Sequence, residues 1–303
     1  MIKSKKKFII IILGLLFLII AVPRLMYPDL DHGDEYGDAN VMDAGRNFAK
    51  FGFIRCRFLP TFEVQLDKPE NLYTHYPTLP ENINGLLRKI FKTDSLRFFR
   101  SIALFFACLD VIFWFLFLEK FTGSYSLGFL GALFYLFNPL FIFSADNLHQ
   151  LAYSGFLRSL ILFSFLCYIE SKDRKRLLLF LLWVFIQLEF WIGLDCVIYL
   201  FLFFILYKYF FKLPKAPLSK GAIIILFSAP VFGSLLHFMQ NVWYFGSFSL
   251  ALKDLVNVAA ERMAHSKDSS LALTFGNWWQ YAIVRYFSLV LIFNYFIVSF
   301  MII

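Results

Sequence analysis

The chain has 303 residues, of which 60% are hydrophobic, 21% aromatic and only 17% charged. That balance excludes an ordinary water-soluble domain, because 42 Phe side chains cannot be buried in one soluble core of this size. A net charge of +8 would suit a polyanion such as nucleic acid, but the basic residues gather in short loops beside apolar runs, which reads as membrane topology and contact with anionic headgroups.

Lys3, Lys5, Lys6 and Lys7 precede an apolar run from Phe8 to about Met26. The run is longer than the apolar part of a signal peptide and ends in Val22-Pro23-Arg24 instead of a small-residue cleavage site. It is expected to remain as a first membrane helix with a cytoplasmic N-terminus. Residues 28–98 follow as a first outer loop, too long for a plain connector. Within it Val41, Ala44, Phe48 and Phe51 recur at helical spacing, so a helix is expected from about Tyr36 to Phe51, stopped by Gly52. A second is expected from Pro80 to Lys92, with Ile83, Leu86, Leu87 and Ile90 as its stripe. Thr78-Leu79-Pro80-Glu81 reads as its capping box, with proline in the first turn. Both are short and amphipathic and are expected in the membrane interface.

Further apolar runs cover about 101–118, 125–143, 151–169, 177–191, 194–211, 221–240 and 282–303. The stretch from 177 to 211 is too long for one crossing, and Glu189-Phe190-Trp191-Ile192-Gly193-Leu194-Asp195 is expected to turn within it. Loop 170–176 carries Lys172, Arg174, Lys175 and Arg176, and loop 208–220 carries Lys208, Lys212, Lys215 and Lys220, whereas loops 144–150 and 189–195 have no Lys or Arg. Alternating the faces from a cytoplasmic N-terminus puts every basic short loop inside. The expected fold is an all-α polytopic membrane protein with about eight transmembrane helices, each needing about 20 residues. Interfacial amphipathic helices are expected in the first and last outer loops. The whole of 1–303 is read as one transmembrane domain. The last outer loop, 241–281, holds a third amphipathic stretch from about Ser247 to Met263, with Arg262, His265 and Lys267 at its end. The sequence stops at Ile303 in mid-run, which suits either the close of an eighth helix or a shortened member of something larger. Cys108, Cys167 and Cys196 fall in apolar runs and Cys56 in a loop, with no disulfide framework and no CxxC knuckle.

The most pointed polar stretch is Asp31-His32-Gly33-Asp34-Glu35, just past the first crossing. By residue type alone, its carboxylates solvate a loop and favour a following helix N-terminus. Asp31, His32 and Asp34 are also a partial ligand set for a divalent ion, although hard cations want more oxygen ligands than these provide. His75 is either a phosphate or acceptor contact or a ring packed in a turn. Arg88, Lys89 and Lys92 suit contact with anionic lipid. Arg262, with Lys267 nearby, either clamps a leaving phosphate with its planar fork or caps a helix. Asp110 and Arg158 lie at similar depth and read as an ion pair, since ionisable residues in membrane segments are costly unless paired or functional. Glu189 and Asp195 flank a turn where they would line a cavity. Asn138-Pro139 reads as a kink, and His237 with Gln240 as interhelical hydrogen-bonding groups.

One crossing, a long loop opening on Asp-Glu, amphipathic helices, an aromatic-proline motif and then many crossings make an order that resembles the GT-C superfamily of polyprenyl-phosphate-sugar-dependent glycosyltransferases. The protein O-mannosyltransferases and lipid A aminoarabinose transferases are the nearest in look. Gly33-Asp34-Glu35-Tyr36 through Ala44-Gly45-Arg46-Asn47-Phe48-Ala49-Lys50-Phe51-Gly52-Phe53-Ile54 resembles their first-loop signature. Tyr73-Thr74-His75-Tyr76-Pro77-Thr78-Leu79-Pro80 resembles their His-Tyr-Pro segment, and Leu236-His237-Phe238-Met239-Gln240-Asn241 with Tyr244-Phe245-Gly246-Ser247 a later one, more loosely. The likeness covers about the first 100 residues in motif and the rest in topology; family members are usually longer.

The resemblance implies transfer of a sugar from a polyprenyl-phosphate donor to a lipid, glycan or protein acceptor on the extracytoplasmic face of the inner or plasma membrane, with no nucleic acid involved. Asp34 takes the place of the essential carboxylate and Glu35 that of an orienting group or metal ligand. Substrate contacts fall to Asp31, His75, Tyr76, Arg262, Lys267, Glu189 and Asp195. A divalent metal ion, if used, falls to Asp31 and Asp34. Two other readings stand beside this one: a polytopic transporter or lipid flippase, whose ionisable groups would concentrate at mid-membrane, and a non-catalytic, cut-down transferase homologue.

Overall fold

The computed structural model of the protein describes residues 2–27, 35–63, 68, 71–75, 77–171, 173–193 and 219–268, the side chains of 2–4, 35 and 259–268 excepted. All regular structure among them is helical: α1 Ile2–Met26, α2 Glu35–Phe51, α3 Leu79–Phe91, α4 Leu96–Thr122, α5 Tyr125–Leu136, α6 Pro139–Ser144, α7 Leu151–Glu170, α8 Lys175–Phe190, α9 Lys220–Phe245 and α10 Phe248–Asp268. Four are long and apolar enough to cross a membrane: Lys5–Met26 within α1, then α4, α7 and α9. The expected runs at 194–211 and 282–303 lie outside the described residues.

The run at 125–143 is not one helix. Asn138 breaks it, its side-chain oxygen accepting the Leu140 N–H at 2.9 Å, with Pro139 opening α6. Asn and Pro are suited to that job, one capping the freed donors and the other needing none.

Ion pairs fix the helix directions. Lys6 on α1 meets Glu119 on α4 at 2.8 Å, and Lys120 meets Glu170 on α7 at 2.5 Å, so these three helices share a lysine-rich end. At the opposite, loop-rich end, Arg24 of α1 and Arg100 of α4 both meet Asp146, in the loop before α7. α1 is therefore antiparallel to α4, and α7 runs parallel to it. α8 and α9 also run parallel to each other. The Trp183 indole N–H donates to Ser228 Oγ at 3.1 Å, and Phe190 and Gln187 lie against Gly233, further along both helices. α8 thus ends at the loop-rich end, and α9 begins at the lysine-rich one.

Two apolar clusters fill the bundle, one of Leu13, Phe17, Leu104, Phe115 and Leu136 among α1, α4 and α5, the other of Phe165, Leu182, Ile186 and Leu226 among α7, α8 and α9. Where lipid replaces water, close packing and small residues hold helices together more than apolar burial does. Gly128 lies against the Glu119 backbone, where a Cβ would come within 2.8 Å of the amide nitrogen, and Gly155 lies against the Asp110 carboxylate.

α2 and α3 pack on each other at the loop-rich end. Gly52 ends α2 at φ +90, and its N–H reaches the Phe48 carbonyl. The capping box expected at α3 does not form. The Thr78 hydroxyl donates to the Phe58 carbonyl at 3.0 Å and makes no cap bond, and the Glu81 side chain turns into the core. Arg88 is likewise not a headgroup contact. It is buried, pairs with Asp94, hydrogen-bonds Asn84 at 2.7 Å and lies over the Phe99 ring at 4.6 Å. Burial, with the nearby Arg46 charge, pulls its guanidinium down to about 10, against the pull of Asp43.

Candidate functional site

The loop-rich end is organised by a chain of alternating charges. Arg24 pairs with Asp146; Asp146 faces Arg100 at 3.8 Å, and Arg100 faces Asp38 on α2 at 3.5 Å. Asp38 also accepts the Leu148 N–H at 2.7 Å and an amide hydrogen of Asn147 at 3.2 Å. The Asn147 side-chain oxygen takes the N–H groups of Gln150 and Leu151 at the start of α7, donors that a helix N-terminus otherwise leaves without partners. Two acids and two bases, three of them buried and Arg24 partly so, balance each other and tie α1, α2, α4 and the 145–150 loop into one unit.

Beside this chain lies a second set on α7 and α8. Glu189, 2% exposed, accepts from Ser154 Oγ at 2.5 Å and from Arg158 Nε at 2.6 Å. Arg158, expected to pair with Asp110, is thus tied to Glu189, though close enough to act on Asp110 electrostatically as well; Asp110 accepts the Tyr135 O–H at 2.6 Å. On α3, Glu81 is 0% exposed, and neither of its oxygens has a hydrogen-bond partner. The nearest cationic candidate is His149 Nε2, at 3.8 Å. Loss of water pushes the Glu81 carboxyl up to about 7, with its own backbone N–H pulling the other way.

The 71–75 segment is pinned from above by α9 and α10. The Thr74 carbonyl accepts from His237 Nε2 and from the Asn241 amide, both at 3.0 Å, and the Thr74 hydroxyl donates to Asp254 at 2.7 Å. His237, expected to bond between helices, thus bonds a loop, with Gln240 beside its other nitrogen at 3.3 Å. Next to this anchor His75 is partly exposed and packs on Tyr73, ring centres 4.6 Å apart. Arg57 closes the same side, donating to the Tyr244 carbonyl at 3.1 Å and lying over its ring.

Of the residues singled out in the sequence, Glu189 and His75 stand at this end, one buried in an ion pair and the other at the surface. Glu35 opens α2, and Arg262 and Lys267 lie on α10; their side chains are outside the description. Asp31, Asp34, Tyr76 and Asp195 lie outside the described residues, and with them the metal expectation. Among the described residues no group of three His, Cys, Asp or Glu comes together as a metal site. A groove of about 790 Å³ opens at the other, lysine-rich end, between Lys5 and Phe8 of α1 and Ser124, Tyr125 and Phe129 around the start of α5, away from these groups.

Sequence reasoning passed over Asp38, Asp146 and His149, and read Glu81 only as part of a capping box. Asp146 and His149 were legible as acid and imidazole in a loop without Lys or Arg between two apolar runs, a place where a lone charge needs a partner. Asp38 carried no such signal, because its helix reads as a surface one. Compared with known proteins, the chain matches no family model, no curated protein and no solved structure.

Proposed function

We propose that the protein is an integral membrane glycosyltransferase of GT-C type that moves a sugar from a polyprenyl-phosphate donor to a lipid, glycan or protein acceptor at its loop-rich end. One observation supports this most. Arg24 and Asp38, on either side of the Asp31–Glu35 stretch, both enter one buried charge chain. The described residues flanking the acidic stretch are thereby held at the end of the bundle that also carries His75 and the start of α10. A carboxylate there meets a lipid-borne donor and a water-borne acceptor together.

In this reading an acceptor hydroxyl attacks the anomeric carbon and Asp34 takes its proton. The bond from that carbon to the phosphate oxygen breaks, and its electron pair leaves on the polyprenyl phosphate. A positioned general base contributes about 10²–10⁴-fold to such a step. Arg262 and Lys267 supply positive charge for the departing phosphate. About eight crossings, with the lysine-rich end in the cytoplasm of a cell with an inner or plasma membrane, complete the reading. The parallel run of α8 and α9 supports that count, because the 194–218 connection joins opposite ends of the bundle.

The test is complementation. Cells lacking the protein are given the natural form or Asp34→Asn, and lipid-linked sugars and surface glycans are followed by mass spectrometry. The natural form restores a missing sugar and consumes its lipid-linked donor, while Asp34→Asn, at normal abundance, does not. Full restoration by Asp34→Asn removes the assignment of that residue. Lipid-linked sugars that differ only in the leaflet they occupy identify a flippase instead.

A further inference from the structure

We infer that Glu81 and His149 form a proton-transfer pair that joins the interior of the loop-rich end to its surface. The contrast with the other buried carboxylates carries the point. Asp38 sits on the Leu148 and Asn147 donors, Asp110 on the Tyr135 hydroxyl, Asp146 on Arg24 and Glu189 on Ser154 and Arg158. Each of those is built as an anchor, with donors from neighbouring elements tied to it. Glu81 is as deeply enclosed and, among the described residues, has no side-chain donor within hydrogen-bond reach; the His149 ring stands at 3.8 Å, too far for a hydrogen bond. A buried polar group left without a partner costs stability and calls for a role other than anchoring. His149 completes the path, because its side chain is 16% exposed while that of Glu81 is 1%. A proton leaving Glu81 therefore has one neighbour to go to, and that neighbour reaches the surface.

The groups around Glu81 leave that exchange unblocked. Tyr153 on α7 is close enough to interact electrostatically with both Glu81 and Asp38 of α2. Asp38 is occupied by Arg100 and the 147–148 donors, and Glu189 on α8 by Arg158. On α3 itself Arg88 is taken up by Asp94. No cation is committed to Glu81, so protonation of His149 and ionisation of Glu81 favour one another.

The use of the pair rests on the glycosyl-transfer reading. Each sugar moved releases one proton from the acceptor hydroxyl, and that proton must leave the site before the next donor arrives. The Glu81 carboxylate takes it up and passes it to the neutral His149 ring, which becomes imidazolium while Glu81 returns to carboxylate, and the surface side of the ring gives the proton to water.

Infrared difference spectroscopy of the full chain in lipid nanodiscs tests the pair without any substrate. On titration, the natural protein is expected to show the carbonyl band of a protonated carboxylic acid that disappears in one step near neutral pH. Glu81→Gln, which replaces the protonated acid with an amide of the same shape, loses the band. Glu81→Asp keeps one with a shifted midpoint. His149→Phe keeps the band, shifts its midpoint and slows its exchange in deuterated buffer. A Glu81→Gln difference spectrum that keeps every titrating carbonyl band of the natural protein overturns the proposal, and so does a His149→Phe spectrum with unchanged midpoint and exchange of the Glu81 band. In the complementation assay His149→Phe lowers transfer by up to about 10²-fold and moves the acid side of its pH profile. Loss of the infrared signature with transfer intact sinks the relay alone; the reverse result leaves the relay standing and sinks the glycosyl-transfer reading.

Discussion

At the scale of single residues, Glu81 makes stability depend on pH in a direction opposite to most carboxylates. Its folded value, about 7, lies above its ordinary 4.5, so the folded chain holds a proton that the unfolded chain has released. Stability is then fully present below the ordinary value and falls as pH rises toward and through 7, by roughly 3 kcal/mol in all. Melting of the purified protein in detergent, measured at mildly acidic and mildly alkaline pH, should show this loss in the natural chain and a much flatter response in Glu81→Gln. Arg100 gives a prediction of another kind. It stands between Asp38 and Asp146, and Arg100→Leu leaves two buried acids with less to balance them, a change that costs about 3–5 kcal/mol when a buried pair is broken. A drop in melting temperature of no more than a surface substitution produces would mean the charge chain is not holding the end together. Neither role was readable from the chain alone. Glu81 matched a capping pattern that depends only on local spacing, and what redirected it was the surrounding fold, which brought a dry interior to the inner side of the first turn of α3. Arg100 stands just before the apolar run at 101–118 with nothing local to mark it, and its two partners come from α2 and the 145–150 loop, far away in sequence.

At the scale of elements, the helices themselves were legible. The period of Val41, Ala44 and Phe48 marked α2 and the stop at Gly52, and Asn138-Pro139 marked the break between α5 and α6, because both signals act within a few residues. What periodicity could not convey is how α2 and α3 meet. Both were expected to lie separately on a membrane surface, yet Gly45 faces Asn84 and Arg88, and Gly85 faces Phe48. A Cβ on Gly85 would sit 2.5 Å from the Phe48 Cβ, and one on Gly45 would overlap the Asn84 side chain. Gly85→Ala and Gly45→Ala should each therefore cost about 1–3 kcal/mol by overpacking, despite the gain in helix propensity that alanine brings. Because they act on one interface, the double variant should depart from the sum of the two. On α1, a Cβ added at Gly14 would have nothing within 4 Å, so Gly14→Ala is the matched control, neutral or stabilising by up to about 1 kcal/mol. Equal effects at all three glycines would mean that propensity, and not the α2–α3 contact, decides the outcome.

At the scale of the whole molecule, the parallel run of α8 and α9 constrains the path of the chain more than any single hydropathy window. Asp173, in the turn before α8, and Ser219, before α9, stand at the lysine-rich end, while Ser249 at the start of α10 stands at the other. Antiparallel neighbours would be joined by a short loop at one end; parallel ones place Gly193 and Ser219, the described residues on either side of 194–218, at opposite ends of the bundle. Arg174, Lys175 and Arg176 at the start of α8 and Lys220 at the start of α9 then stand at the same end, the pattern that charge asymmetry across a membrane favours. Single cysteines at Asp173, Ser219, Ser249 and His32, placed in a chain whose four native cysteines are replaced, test this in intact cells with a membrane-impermeant thiol reagent. Ser249→Cys and His32→Cys should react from outside, and Asp173→Cys and Ser219→Cys only after the membrane is opened. Cys56 is no reliable native reporter, since burial pushes its thiol up to about 11 against the pull of Arg55 and Lys89 and keeps it from ionising. If Ser219→Cys labels with Ser249→Cys, α8 and α9 are not parallel in the membrane and the crossing count loses its support. If His32→Cys labels with Asp173→Cys, the acidic stretch faces the cytoplasm, where a donor sugar on the outer leaflet never reaches it.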